Sequence, residues 1–150
     1  MVALEGSTLD IELLSPALNI VGFEHQPANV AQSDAVESAI VTLKQPGLLF
    51  SLPSAAKCSP VSIKVESPLA EHDDHDHEHS KETSHDREEK THSDFTGHYS
   101  FQCSDMSVLD RIAIEIFKQF PGIEVIGVQS ISQQGQQKLE LSPDHNILEL

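Results

Sequence analysis

Histidine and acidic residues are concentrated in one internal segment of the chain, residues 70–94. This histidine-rich segment contains six histidines and ten acidic residues, and its acids outnumber its basic residues by seven. Neutral imidazole nitrogen and carboxylate oxygen are donors that zinc accepts, and about four of them complete a tetrahedral site. The composition of the segment therefore predicts zinc binding.

The spacing of the histidines allows three of them to reach one ion in either regular conformation. In an extended chain His75, His77 and His79 share a face, whereas in a helix His72, His75 and His79 do. The acids between them can supply a fourth ligand or orient the imidazole rings. The predicted ligands are His72, His75, His77, His79, His85, His92 and Asp76. We expect room for more than one ion, and copper or nickel binding in vitro stays open because both metals accept imidazole.

Three further histidines lie outside the segment. His98 falls on the polar side of an alternating strand, where it either reaches a metal together with His92 or is an ordinary solvated residue. His25 follows an apolar stretch, which favours a structural or surface role over that of a ligand. His145 lies in a Pro-Asp turn and is interpreted as a surface residue. His98 and His25 are thus secondary metal candidates.

Other classes of function have less support. The chain contains no Gly-rich phosphate loop, no Gly-x-Ser-x-Gly turn and no His-Glu-x-x-His motif, so we expect no enzymatic activity. A solvated linker and a pH-sensing element are the alternatives for the histidine-rich segment itself. With so few apolar side chains the segment cannot offset its ordering entropy, and we expect it to be mobile until a metal binds.

The charge and length of the chain limit its partners. A net charge of -15 disfavours nucleic acid and anionic membrane surfaces, and it favours cations. No apolar run approaches the length of a membrane span, so membrane insertion is not expected. The 150 residues fit one domain, 1–150, which needs no metal to fold. No signal peptide is visible, which leaves either a cytoplasmic protein or a mature form.

The elements that must position the histidine-rich segment are mostly strands. Two alternating strands, 58–67 and 95–103, flank it as a plausible antiparallel pair. Helical spacing predicts one main helix over 29–44, and Gly6-Ser7 predicts a hairpin between strands 2–5 and 8–14. After a helical turn near 105–110, strands are predicted from Ile112, over 125–132 and over 138–142. The fold class is therefore α+β, a mainly antiparallel sheet with one main helix and a long His/Asp/Glu-rich loop between two strands.

Two cysteines, Cys58 and Cys103, are far apart in the sequence, and no Cys-x-x-Cys pair is present. They either form one disulfide or remain two buried thiols. If the flanking strands pair antiparallel, the cysteines stand at the outer ends of the pair, which favours the disulfide.

Several motifs spread over nearly the whole chain form a recognisable set. The most specific are Gly22-Phe23-Glu24-His25 and the internal histidine tract, and the others include Leu9 to Leu13, His92 to Phe95 and the Tyr99-x-Phe101-x-Cys103 pattern. With these motifs the sequence resembles the ZrgA-type family of zinc-regulated periplasmic proteins from Gram-negative bacteria. Members of the family usually carry further residues before the position of Val2.

The resemblance implies periplasmic zinc binding in support of zinc uptake, beside an ABC-type zinc importer. It also implies that a signal peptide has been removed, and hence a Cys58–Cys103 disulfide. We therefore expect a non-enzymatic accessory protein that captures or buffers zinc. The alternative is an interaction module that docks on a transporter, with the histidine-rich segment as a charge or pH-sensing element.

Overall fold

A computed structural model describes residues 1–70, 93–132 and 135–150. Nine strands dominate the described residues, joined by four helices and three short 3₁₀ turns. The strands are β1 (Val2–Glu5), β2 (Thr8–Pro16), β3 (Phe50–Ser51), β4 (Cys58–Glu66), β5 (Asp94–Cys103), β6 (Arg111–Ile114), β7 (Ile126–Ser132), β8 (Gly135–Leu141) and β9 (Ile147–Glu149). The helices are α1 (Ala17–Val21), α2 (Val30–Leu43), α3 (Pro46–Leu49) and α4 (Ile116–Gln119), and the 3₁₀ turns are Ser54–Ala56, Pro68–Ala70 and Met106–Val108.

The larger sheet has six strands in the order β4-β5-β2-β1-β7-β8. All neighbouring strands run antiparallel except β1 and β7, which are parallel. Strand β5 lies between β2 and β4, and it pairs with β2 along nine positions from Thr8↔Gln102 to Pro16↔Asp94. The smaller sheet has three antiparallel strands in the order β3-β6-β9.

Alternation along β2 and β5 places their apolar side chains on one face of the larger sheet, as the two-residue strand period requires. Helix α2 covers part of this face with Val36, Ala39 and Leu43, all buried. Tyr99 of β5 is almost fully buried there, and its hydroxyl donates a hydrogen bond to the carbonyl oxygen of Leu43 at 3.0 Å. The ring of Tyr99 also meets Phe50 edge-on, with centroids 5.1 Å apart. Tyr99 thus joins the larger sheet, the end of α2 and the smaller sheet.

The predicted fold class is confirmed: the described residues form an α+β structure with a mostly antiparallel sheet and one long helix. The predicted pairing of the strands on either side of the histidine-rich segment is also confirmed, because β4 and β5 are antiparallel neighbours. The main helix predicted over 29–44 is α2, but its start signal is not Ser33 or Asp34, as the sequence suggested: Asn29 precedes the first helical residue, and its side-chain oxygen accepts a hydrogen bond from the Gln32 amide at 3.0 Å.

Some boundaries differ from the prediction. Strand β6 ends at Ile114 and the chain then turns through α4, where a longer strand was expected from Ile112. Strand β8 begins at Gly135, three residues before the predicted start at Lys138. The apolar residues after Pro16 form α1. The apolar residues from Ile112 to Phe120 satisfy either period, so their spacing could not place the end of β6. The earlier start of β8 comes from its pairing with β7, which begins at Ser132↔Gly135.

Among the described residues, no helix is both long enough and apolar enough to cross a membrane.

Candidate functional site

The structure describes the two flanks of the histidine-rich segment, up to Ala70 on one side and from Ser93 on the other. The first flank is the 3₁₀ turn Pro68–Ala70, which Ser67 joins to the end of β4, and the second is Ser93, directly before β5. The predicted ligands His72, His75, His77, His79, His85, His92 and Asp76 all fall at 71–92, outside the described residues. Their roles therefore remain predictions, and the geometry of the flanks is what the structure adds.

The first flank is held by the core and by its own turn. Leu69 is buried, and its amide donates to the Ser67 hydroxyl at 3.3 Å. The Ala70 amide donates to the Ser67 carbonyl at 3.1 Å, which closes the turn. Ser67 is itself buried, so this polar side chain is kept in the core by the hydrogen bond it accepts.

The second flank is held by residues close to α1. The carbonyl of Ser93 accepts a hydrogen bond from the Ala17 amide at 3.0 Å, and the Ser93 hydroxyl donates to the carbonyl of Glu24. Phe95, two residues further on, is fully buried. Ser93 is consequently fixed both by its own polar groups and by the strand that follows it.

Both flanks meet the same short connection between α1 and α2, residues 22–29. Gly22 ends α1 with φ +86, a left-handed conformation that favours glycine, and so turns the chain out of the helix. Glu24 contacts Ser93 as described, and the Gln26 side-chain amide donates to the carbonyl of Pro68 at 3.2 Å. The α1–α2 connection therefore lies against both ends of the histidine-rich segment.

His25 stands between these two contact residues. Its ring stacks on Phe23 with centroids 5.1 Å apart and an interplanar angle of 26°, and the side chain is exposed. The Nδ1 atom lies 2.8 Å from the carbonyl oxygen of Gln26. A carbonyl can only accept, so Nδ1 carries the proton and Nε2 keeps its lone pair when the ring is neutral. Metal-binding histidines commonly have this arrangement, in which the nitrogen that is not bound to metal donates to a carbonyl.

His98 occupies a different part of the molecule. It is exposed on the outer face of the larger sheet, as its place on the polar side of the strand predicted. Its register neighbours are Glu12 on β2 and Lys64 on β4, and Lys64 is paired with Glu66 at 3.0 Å. His98 lies five positions after Ser93, which corresponds to roughly 16 Å along β5. His98 is therefore remote from the flanks.

Within residues 1–70, 93–132 and 135–150, no three His, Cys, Asp or Glu side chains come together in a group that could hold a metal ion. His98 with Asp10 and Glu12 lines a shallow hollow on the outer face, but this set does not form such a group. His145 is exposed in the turn before β9, as predicted.

Cys58 and Cys103 form a disulfide, as the resemblance implied. They are register partners at the ends of β4 and β5 that are furthest from the histidine-rich segment. The strand pair that carries the segment is thus covalently closed at the opposite end.

Gln26 and Ser93 are the residues of this site that sequence reasoning missed. A lone glutamine and a lone serine in polar surroundings have no distinguishing pattern, because their role depends on carbonyl groups 42 and 69 residues away. The only available signal was that the α1–α2 connection carries the specific Gly22-Phe23-Glu24-His25 run.

Comparison with protein families identifies the class of this chain. The family model described as ZrgA family zinc uptake protein matches residues 1–150, the whole chain. The protein is therefore a zinc uptake protein. It belongs to the ZrgA family. Comparison with curated proteins finds no match to this chain.

Proposed function

We propose that this member of the ZrgA family is a periplasmic, non-enzymatic zinc-binding accessory protein. In this proposal the histidine-rich segment captures or buffers zinc and passes it towards an ABC-type importer. The main donors are His72, His75, His77 and His79, followed by His85, His92 and Asp76. The observation that carries the proposal is the composition of the segment: six histidines among ten acids, inside a chain of a zinc uptake family.

The geometry of the flanks supports capture by this segment. A segment whose two ends are fixed loses less conformational freedom on binding an ion than one with free ends. His92 directly precedes Ser93, whose hydroxyl and carbonyl are both hydrogen-bonded, so this donor is attached to ordered backbone. His25 lies on the connection that contacts both flanks and keeps an Nε2 lone pair available, which makes it the described histidine best placed to add a donor.

The periplasmic part of the proposal is supported by the disulfide. Disulfides form and persist in oxidising compartments such as the bacterial periplasm. The net charge of -15 suits a protein that concentrates cations near its surface.

Calorimetric titration with zinc tests the proposal on two forms of the chain. One is the intact chain, and the other replaces residues 71–92 by a short Gly-Ser linker between Ala70 and Ser93. We expect tight zinc binding to be lost in the second form while its thermal unfolding stays cooperative. Tight binding that survives the replacement would move the site into the folded part and contradict capture by the segment. Parallel titrations with copper and nickel determine which metal the segment prefers.

A further inference from the structure

The larger sheet contains a slot beside the start of β1. Strand β1 begins at Val2, whereas its neighbours β2 and β7 both extend past that point. Residues 13–15 of β2 and 126–128 of β7 are paired with β5 and β8 on their outer sides. In the described part of the chain, neither stretch has a strand partner on the side where β1 lies. The space between these two stretches is called the β2–β7 slot.

The β2–β7 slot opens into an apolar cavity of about 380 Å³ between the two sheets. The smaller sheet and α4 contribute Phe50, Ile114 and Ile116 to its lining, and all three are buried. Leu13 and Ile126 line the cavity from the two sides of the slot and are only partly buried. A cavity of this size and lining is typical of a binding site for apolar groups, and it disfavours a charged occupant.

Met1 lies in line with the slot and shows how a peptide there would be hydrogen-bonded. Its amino group donates to the Glu12 carbonyl at 2.6 Å, and the Glu12 amide donates to the Met1 carbonyl at 2.8 Å. These two bonds form one hydrogen-bonded pair of an antiparallel ladder, in which every second residue faces the same neighbour. The next backbone groups of β2 that face the slot are therefore those of Leu14.

The amino group of Met1 is itself poorly suited to this position. Burial lowers its pKa, although the carboxylate of Glu12 acts in the opposite direction. The charged form is thus disfavoured at a point where an amide nitrogen in the same ladder would be neutral.

We propose that the β2–β7 slot accepts an extended peptide segment joined to the amino group of Met1, which lengthens β1 by three residues. The segment pairs antiparallel with residues 13–15 and parallel with residues 126–128, and so continues both existing registers. Because Val2 is buried and Met1 is exposed, the first and third residues ahead of Met1 point into the cavity. A matching segment therefore has apolar residues at these two positions and a polar residue between them.

The slot leads to the end of the sheet that carries the histidine-rich segment. Strand β2 continues past the slot to Pro16, whose register partner on β5 is Asp94. Ser93, the second flank, directly precedes Asp94, and its carbonyl accepts the hydrogen bond of the Ala17 amide. A peptide that fills the slot is therefore brought towards the same end of the sheet as this flank.

The test compares three forms of the full chain that differ only ahead of Met1. The first has no additional residue, the second carries Thr-Val-Thr-Val, and the third carries Val-Thr-Val-Thr. The second form directs both valines into the cavity, whereas the third has the same composition in the opposite phase. Thermal unfolding and hydrogen exchange of the Leu14 amide are measured for all three forms.

We expect the in-phase form to unfold about 3–6 °C above the other two. The Leu14 amide, which gains a carbonyl partner, should exchange at least about tenfold more slowly in that form only. A Leu14 amide that exchanges equally fast in the three forms overturns the inference, as do unfolding midpoints that both extensions raise equally. Leu14 exchange that slows with rising concentration of the unextended form also overturns it, because a second copy would then fill the slot.

Discussion

Cys58 and Cys103 face each other directly across β4 and β5, with their Cα atoms 3.9 Å apart and their sulfurs bonded. The bond closes a loop of 45 residues in sequence that includes the whole histidine-rich segment. The segment thus emerges from a strand pair that is closed covalently at one end and held by the α1–α2 connection at the other. With both ends of the strand pair held, β4 and β5 keep their register although the histidine-rich segment lies between them in the sequence.

Reduction of this disulfide should destabilise the protein. Cross-linking across a loop of this length restricts the unfolded chain, and the chain-entropy relation gives about 4 kcal/mol as an upper value. We expect the free energy of unfolding, measured in urea, to fall by about 2–4 kcal/mol when a reductant is added. The double variant Cys58→Ser with Cys103→Ser should show the same low stability with and without reductant. A wild-type curve unaffected by complete reduction would contradict this role.

Gly97 on β5 should not tolerate a side chain. A Cβ atom at this position would lie 2.6 Å from the Tyr99 hydroxyl oxygen and 2.7 Å from its ring, so the buried ring would have to move. We expect Gly97→Ala to lower the free energy of unfolding by about 1–3 kcal/mol. The matched control is Gly127→Ala on β7, where nothing lies within 4 Å of the added Cβ atom. Equal effects of the two substitutions would show that the close approach to Tyr99 does not matter.

The free energy of unfolding should fall at alkaline pH because of Tyr99. Burial raises the pKa of Tyr99 well above its ordinary value. Its contribution is then fully present below the unfolded pKa of about 10, and it is lost as the pH rises from there towards the folded pKa. The fall in unfolding free energy above about pH 10 should be smaller in Tyr99→Phe than in the wild type.

The same residue provides an optical measurement, because Tyr99 is the single tyrosine of the chain. Tyrosinate absorbance should stay low until the protein unfolds and should then appear together with the loss of far-ultraviolet circular dichroism. Near neutral pH, Tyr99→Phe should cost about 1–2 kcal/mol, since the Leu43 carbonyl loses its donor. Ionisation of Tyr99 in the folded protein near its ordinary pKa would contradict the burial argument.

His25 should contribute to zinc affinity if its free Nε2 atom is used. We expect His25→Ala to weaken zinc binding by about threefold to tenfold, because one imidazole donor among several is lost. His145→Ala is the matched control, since His145 is also exposed but lies in the turn before β9. Calorimetry on both variants distinguishes a ligand from a histidine that is merely stacked on Phe23. Identical affinities would assign His25 a structural role only.

Zinc binding by imidazole should weaken in acid. A free imidazole has a pKa of about 6.5, and a metal can bind only the deprotonated nitrogen. We expect the zinc dissociation constant of the intact chain to rise at least about tenfold between pH 7.5 and pH 5.5. Proton release on zinc binding, measured by calorimetry in buffers of different ionisation enthalpy, gives a second readout. An affinity that does not change over this range would favour carboxylate ligands over imidazoles.

Local sequence patterns predicted much of the fold. Alternation from Leu9 to Leu13 and from Phe95 to Cys103 identified β2 and β5, because a strand with one buried face requires a period of two. The spacing of Val36, Ala39 and Leu43 identified α2 for the corresponding helical reason. The metal donors of the histidine-rich segment can also be read from the sequence, since donor types belong to single residues, and their binding of zinc stays a prediction.

Only the tertiary structure decided how separate elements meet. The parallel pairing of β1 with β7 and the separate sheet of β3, β6 and β9 depend on contacts between distant parts of the chain, for which no short pattern exists. The same holds for Gln26 beside Pro68 and Ser93 beside Glu24, which single out the α1–α2 connection as the base of the histidine-rich segment. Residue types determine which metal donors are present, because donor chemistry belongs to individual side chains. Which donors stand near one another is decided by packing, because proximity is a property of the whole fold.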